Sequence, residues 1–209
     1  MYNRILRKLR PKDPKENAKR ELKRIRLKKS DIAIDCGANV GKVTKQFARS
    51  KATVYAFEPN PHAFKILQDK FKDKPNVHCI QKGVMDRNGI MKLYLHTLSD
   101  QDPVYWSTWS SLLEFKRNMR KNRYVEIEVV DLCEFIESLQ ARVKVLKMDV
   151  EGVESKILKK LIDTGIIHNI DHIFVETHDY GIPEIKSETD EVRALIGEKQ
   201  IQNINLDWI

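Results

Sequence analysis

Residues 31–41 read DIAIDCGANVG, and this stretch decides the fold class. Its apolar first half, residues 31–36, predicts a β-strand that runs into a loop containing Gly37 and Gly41. Glycines permit a tight turn and a close approach of a ligand to the backbone, and the start of the following helix offers free amide groups to a carboxylate. Ligands of doubly wound sheets bind beyond the carboxyl ends of the strands. We therefore expect a nucleotide-type loop with these cofactor-binding residues: Asp35, Gly37, Asn39 and Gly41.

The chain downstream of this loop alternates short apolar runs with helical periodicity, which is typical of βαβ units. Asn60 before Pro61 predicts a helix N-terminus, and Asp131 with Glu134 predicts a capping box. The pattern favours an α/β fold with a doubly wound, mainly parallel central sheet and helices on both faces. The further strands are expected at 53–57, 77–80, 143–148, 170–176 and 204–208.

The stretch 83–130 interrupts this alternation. Strands are expected at 91–95 and 125–129, and the residues between them lack a regular pattern, so 97–123 is interpreted as an inserted lid. We divide the chain into a basic N-terminal arm, 1–29, and one domain, 30–209.

The charge of the chain is concentrated in the arm. The formal net charge is +8, but residues 1–29 alone carry +10, which leaves −2 for the rest. A domain of that charge argues against a nucleic-acid substrate. No apolar run reaches the roughly 20 residues of a spanning helix, and no signal peptide is recognised, so a cytoplasmic location is expected. Residues 2–10 form a basic amphipathic pattern that suits either peripheral membrane contact or packing against protein.

The end of the second predicted strand supplies the strongest cofactor candidate. The spacing Gly-x-x-x-Gly at 37–41 lacks the three-glycine pattern that seats a pyrophosphate, so a phosphate-free adenosyl cofactor fits better. Glu58 follows Gly37 by 21 residues, where a carboxylate can accept hydrogen bonds from both ribose hydroxyls, and Pro59 adjoins it. The alternative is a structural turn with a solvated loop acid.

Five segments together resemble the FkbM family of S-adenosylmethionine-dependent methyltransferases over roughly residues 31–180. They are IDCGANVG (34–41), FEPNP (57–61), WSSL (109–112), LKMDVEGVE (146–154) and VETH (175–178). The resemblance implies a Rossmann-like class I methyltransferase domain, S-adenosyl-L-methionine as cofactor, and O-methylation of sugars, glycolipids or polyketide-derived hydroxyls. Two features depart from the family pattern: the final strand pair is hard to find after residue 180, and the basic arm is additional.

Acidic side chains and a histidine follow two strands that should be neighbours in the sheet. Asp149 and Glu151 follow one strand, and Glu176 and His178 follow the next. A carboxylate or imidazole there could take the proton of an acceptor hydroxyl, so Asp149, Glu151 and His178 are the catalytic candidates, and Asp149 could also touch the cofactor. The alternatives are a helix N-cap for Asp149, a first-turn acid for Glu151 and a surface loop imidazole for His178. Magnesium binding by these acids is a further alternative; a metal-free site is expected.

An aromatic ring and hydroxyl groups within the predicted lid suit a sugar acceptor. The substrate-binding candidates are Trp109, Ser110, Ser111, Glu176 and Arg117, the last within a basic stretch, 116–123, that suits an anionic acceptor or is a solvated surface. The expected function is therefore O-methylation of a small-molecule, carbohydrate or glycolipid acceptor. An RNA or DNA methyltransferase and a non-catalytic nucleotide-binding module are the competing functions.

Overall fold

The computed structural model describes residues 14–105, 107, 110–113 and 119–208. Its helices are α1 (Pro14–Arg24), α2 (Lys42–Phe47), α3 (Pro61–Phe71), α4 (Leu132–Ser138), α5 (Glu154–Asp163) and α6 (Lys186–Glu198). Its strands are β1 (Ile32–Cys36), β2 (Thr53–Phe57), β3 (Val77–Ile80), β4 (Gly83–Met85), β5 (Gly89–His96), β6 (Met119–Asp131), β7 (Val145–Met148), β8 (Ile173–Val175) and β9 (Ile204–Asn205). Short 3₁₀ helices lie at Ile166–Asn169 and Pro183–Ile185.

Six strands form the central sheet in the order β3-β2-β1-β7-β8-β9, and every neighbouring pair is parallel. The chain order reverses at β1, which lies between β2 and β7. This is the switch point at which open α/β sheets bind ligands. The predicted doubly wound, mainly parallel sheet is confirmed, and β9 supplies the expected closing strand.

Helices cover both faces of this sheet. Strands that are buried on both faces are mostly apolar, and all four residues of β7 are buried, including Lys147. One face packs against α4 and α5 through Ile136 and Ile157. The opposite face packs against Phe47 of α2.

Side-chain caps fix the start of the helices that follow β2 and β6. Asn60 accepts hydrogen bonds from the backbone N–H groups of His62 and Ala63. Asp131 caps α4 in the same way. Both predicted helix starts are confirmed, but the predicted capping box is wrong: the Asp131 backbone N–H donates to the Asn88 side chain, and Glu134 accepts from the Asn88 amide. The Asn60 cap sets the path of the loop that carries Glu58.

A second, three-stranded sheet of order β4-β6-β5 differs most from the sequence prediction. The short strand β4 was not predicted, and β6 begins at Met119, so residues 119–123 belong to a strand and not to the lid. Met119 pairs antiparallel with His96 of β5, and the register shifts between this pair and the pair of Tyr94 with Tyr124. Strand pairing, and not the weak apolar pattern of 119–124, determines this boundary.

Helix α1 of the basic arm packs on the domain. Ala18 and Leu22 are buried in a cluster with Phe47 and Trp208, and the Gln46 side chain donates a hydrogen bond to the Leu22 carbonyl. The amphipathic pattern at 2–10 lies outside the described residues. Among the described helices, none is long and apolar enough to cross a bilayer.

Candidate active site

A cleft opens at the carboxyl ends of β1, β2 and β7. Its walls come from the loop after β1, the loop after β2, strand β4 and the segment after β7. The lining residues that the sequence predicted are Gly37, Asn39, Glu58, Pro59, Ser110, Ser111, Asp149 and Glu151. The chain therefore brings the expected cofactor-binding residues to the same cleft as Asp149 and Glu151. These two acids belong, with Glu176 and His178, to a cluster that is called the reacting end below.

The loop after β1 requires glycine at residue 37. Gly37 has a φ of 73°, and a Cβ there would lie 1.8 Å from the carbonyl oxygen of Asp149. The backbone N–H groups of Gly37 and Ala38 both donate to the Phe57 carbonyl. This close approach joins the ends of β1, β2 and β7 into one floor under the cleft.

Glu58 lies at this floor and is almost fully buried. Its Oε2 accepts a hydrogen bond from the Asn39 backbone N–H and its Oε1 accepts one from the Asn60 backbone N–H, both at 2.8 Å. Burial raises the pKa of Glu58 to about 7, although these two hydrogen bonds oppose the increase. A carboxylate has about four acceptor positions, so two hydrogen bonds leave capacity for ligand hydroxyl groups.

Lys147 is a buried cation that the sequence analysis did not single out. Its Nζ donates to the Gly37 carbonyl at 2.8 Å and lies 3.4 Å from both an Asp35 and an Asp149 carboxylate oxygen. Burial would lower the pKa of Lys147, but these two carboxylates outweigh it and raise the pKa. The ammonium group thus links the cofactor loop with the reacting end.

His178 is the centre of the reacting end. Its Nδ1 lies 2.8 Å from Oε1 of Glu154, and its Nε2 faces Glu151 at 3.3 Å, Asp149 at 3.8 Å and Glu176 at 3.9 Å. Burial would lower the pKa of His178, but the Glu154 hydrogen bond and the surrounding carboxylates outweigh burial and raise the pKa to about 9. The imidazole is therefore positively charged near neutral pH. The surface-imidazole alternative is wrong, because His178 is buried.

Glu154 shapes the segment between β7 and α5. Its carboxylate accepts hydrogen bonds from the backbone N–H groups of Val150 and Gly152 as well as contacting His178. Helix α5 begins at Glu154, with Val153 as the N-cap residue. The alternative roles of Asp149 as N-cap and of Glu151 as first-turn acid are therefore wrong.

The same cluster has the composition of a divalent-cation site. Ligand atoms of Asp149, Glu151 and His178 all lie within 4.8 Å of one another. Carboxylates suit magnesium, and a carboxylate behind a histidine, as Glu154 is here, is common around bound metals. The geometry therefore accommodates either a metal ion or a protonated imidazole among carboxylates.

The remaining predicted residues are placed as follows. Asp35 is fully buried behind the loop and accepts a hydrogen bond from the Thr44 hydroxyl, and Gly41 packs against α3. The Ser111 hydroxyl donates to the Glu151 carbonyl at 2.6 Å, and Ser110 lies near the Asn60 side chain. Trp109 and Arg117 lie outside the described residues.

Lys147, Glu154 and Ser107 are site residues that the sequence analysis missed. Ser107 lines the cleft and accepts a hydrogen bond from the Asn39 amide. Lys147 and Glu154 lie within the quoted segment 146–154, where a lysine inside an otherwise apolar strand was the available signal.

Comparison with known proteins finds one matching family model and several relatives that are methyltransferases. A sequence model of the methyltransferase FkbM domain matches residues 35–202. Hexuronic acid methyltransferase AglP of Haloferax volcanii is 27% identical over 150 residues, which cover 71% of this chain and 56% of AglP. 2-O-methyltransferase NoeI of Sinorhizobium fredii is 24% identical over 144 residues, which cover 63% of this chain and 58% of NoeI. This chain thus spans a little over half the length of these relatives.

Two further proteins are similar to this chain over a third or less of their own length. Ribosomal RNA small subunit methyltransferase A of Thermotoga neapolitana is 37% identical over 60 residues, or 29% of this chain and 23% of that protein. The crystal structure of methyltransferase FkbM from Methylobacillus flagellatus aligns with a TM-score of 0.44 and 18% identity, covering 69% of this chain and 32% of that one.

Proposed function

The chain belongs to the FkbM methyltransferase family, and from that premise we propose that it uses S-adenosylmethionine to methylate a hydroxyl group of a sugar or similar small acceptor. The names of AglP and NoeI, for a hexuronic acid and for 2-O-methylation, support a carbohydrate hydroxyl. One observation carries the proposal: Glu58 and Asp149 line a single cleft, and His178 contacts the acids at its edge.

The cleft residues fit an adenosyl cofactor. Glu58 retains acceptor capacity for ribose hydroxyls, and the cradle at Gly37 is so close to Asp149 that a side chain there would collide with it. Gly37, Asn39, Glu58 and Pro59 are the residues we expect to hold the adenosyl group, with Asp149 next to them. Asp35 lies behind the loop, where we expect it to influence the site by pairing with Lys147.

The reacting end is suited to removing a proton from a hydroxyl group. When bound, S-adenosylmethionine supplies a methyl group on a positively charged sulfur, and the acceptor oxygen that takes it loses its proton. Asp149 is the proposed proton acceptor, with Glu151 beside it. His178, charged near neutral pH, orients both carboxylates.

The test is transfer of an isotopically labelled methyl group from S-adenosylmethionine to sugar glycosides, with RNA as the competing acceptor. We expect methyl ethers on the sugar and none on RNA. Label in RNA alone would refute the carbohydrate assignment, and cofactor binding without transfer to any acceptor would favour a non-catalytic module. Activity that EDTA abolishes and magnesium restores would make the acids metal ligands instead of a metal-free base.

A further inference from the structure

The turn after β8 places an exposed aromatic ring beside the reacting end. Tyr180 is 68% exposed, and its hydroxyl donates to Glu176 Oε1 at 3.3 Å. The rings of Tyr180 and His178 are nearly parallel, inclined by 20° with centroids 6.4 Å apart. The turn is anchored, because the backbone N–H groups of Gly181 and Ile182 donate to the His178 carbonyl and Ile182 is buried.

This ring adjoins the acidic end of the cleft. Asp149 and Glu151 line the cleft, and His178 Nε2 lies 3.8 Å from Asp149 and 3.9 Å from Glu176. The Tyr180 hydroxyl contacts Glu176 in turn. A flat, exposed aromatic face with hydrogen-bonding groups at its border presents an apolar body and a polar tip. A sugar ring has the matching surface, with C–H groups on its faces and hydroxyl groups around its rim.

The charge of this end restricts the acceptor further. Four carboxylates surround His178, those of Asp149, Glu151, Glu154 and Glu176, against two cations, His178 itself and Lys147. Even one further positive charge from a bound sulfonium leaves this end negative. A carboxylate on the acceptor would therefore meet like charge in a half-buried site, where repulsion is poorly screened.

Lys82 lines the cleft but is paired with Glu128 at 2.6 Å, so it does not reverse this balance. Arg193, on α6, is paired with Asp179 at 2.8 Å and with Asp190 at 3.1 Å. Arg123 is paired with Asp100. These arginines have carboxylate partners of their own.

We propose that Glu176, His178 and Tyr180 form an acceptor subsite that takes a neutral sugar ring, with its C–H face on Tyr180, in preference to a sugar acid. The proposal rests on the proposed methyltransferase function and specifies its substrate class. It distinguishes this chain from AglP, whose name specifies a hexuronic acid.

The experiment measures binding of sugars to the full chain saturated with S-adenosylhomocysteine. The probes are the methyl glycosides of glucose, galactose and mannose, and of the matching uronic acids, followed by saturation-transfer NMR. We expect a neutral glycoside to bind at least about tenfold more tightly than its uronic acid, because like charges repel in the subsite. Glu176→Gln should narrow this ratio.

Substitutions of tyrosine test the ring itself. Tyr180→Ala should weaken binding of the neutral glycoside by about three- to tenfold, the usual value of an aromatic contact, while Tyr180→Phe keeps most of the affinity. Tyr124→Ala is the matched control, because the Tyr124 ring is already covered by Lys92 and should not affect sugar binding. Unchanged affinity for S-adenosylhomocysteine shows that each variant is folded.

Three results would overturn the subsite: uronic acids that bind as tightly as neutral glycosides, equal sugar affinity in Tyr180→Ala and Tyr124→Ala, or no sugar binding by the loaded protein. Failure of the proposed function is distinguishable in the methyl-transfer assay: label in RNA alone, or no transfer to any acceptor, refutes the function, whereas transfer to sugars together with one of the first two results above refutes only the subsite.

Discussion

At the scale of single residues, the side chains at the strand ends were predictable from the sequence. The side chains that pair with them and fix their positions were not. Glu58 and Asp149 follow apolar strands, and parallel strands bring their carboxyl ends to one edge, so sequence alone placed them together. The importance of Lys147 and Glu154 depends on where Asp35 and His178 arrive in the folded chain. In the sequence, Lys147 is only a lysine in a predicted strand, and Glu154 is only an acidic residue near the start of a predicted helix.

The proton-transfer proposal predicts large losses of turnover. General-base assistance is worth about 10² to 10⁴ in rate, so Asp149→Asn and His178→Ala should each lower kcat within that range. Affinity for S-adenosylhomocysteine should hardly change in His178→Ala, because His178 lies beyond the acids.

His172→Ala is the matched control, since His172 precedes β8 and His178 follows it. We expect it to turn over like wild type in steady-state kinetics. If His178→Ala has the kcat of the wild type, the histidine takes no part in the reaction.

The raised pKa of Glu58 predicts that cofactor affinity depends on pH. With a pKa of about 7, lowering the pH from about 8 to about 6 protonates most of Glu58 and removes a charged acceptor for ribose hydroxyls. Affinity for S-adenosylhomocysteine should therefore fall by up to about tenfold, as measured by calorimetry in buffers of matched ionic strength. Glu58→Gln should lose this dependence; a wild-type affinity that is constant over the range would contradict the assignment.

At the scale of secondary structure, elements with strong local signals were predicted closely and those defined by pairing were not. The bounds of β2 and β3 agree with the prediction, because β-branched and apolar runs end at turn residues. β4 has three residues, and the start of β6 is polar, so neither has a periodic signal of its own. They exist because β6 pairs with β4 on one side and with β5 on the other.

Helix α1 should contribute to the stability of the domain. Leu22 is 1% exposed, and removing a buried leucine side chain typically costs about 2–5 kcal/mol, so Leu22→Ala should lower the free energy of unfolding by that amount. Lys23→Ala, on the exposed side of the same helix, should change it by less than about 0.5 kcal/mol. Urea denaturation measures both. Equal stability of the two variants would mean that α1 is not docked in solution.

At the scale of the whole molecule, the excess positive charge and the candidate active site lie in different parts of the chain. The basic arm carries +10, whereas the rest of the chain, which holds the cleft, carries −2. Three segments that are distant in sequence, around Gly37, Glu58 and Asp149, form one floor through the parallel sheet. The central claim is that this floor binds an adenosyl cofactor for methyl transfer.

Calorimetric titration of the full chain with S-adenosylhomocysteine tests that claim most directly. The account predicts micromolar binding by wild type, and binding weakened by about 1–3 kcal/mol in Glu58→Ala, the value of lost charge-assisted hydrogen bonds. Unchanged affinity in Glu58→Ala would remove Glu58 from the cofactor site. The absence of any binding by the wild-type chain would contradict the S-adenosylmethionine-dependent function itself.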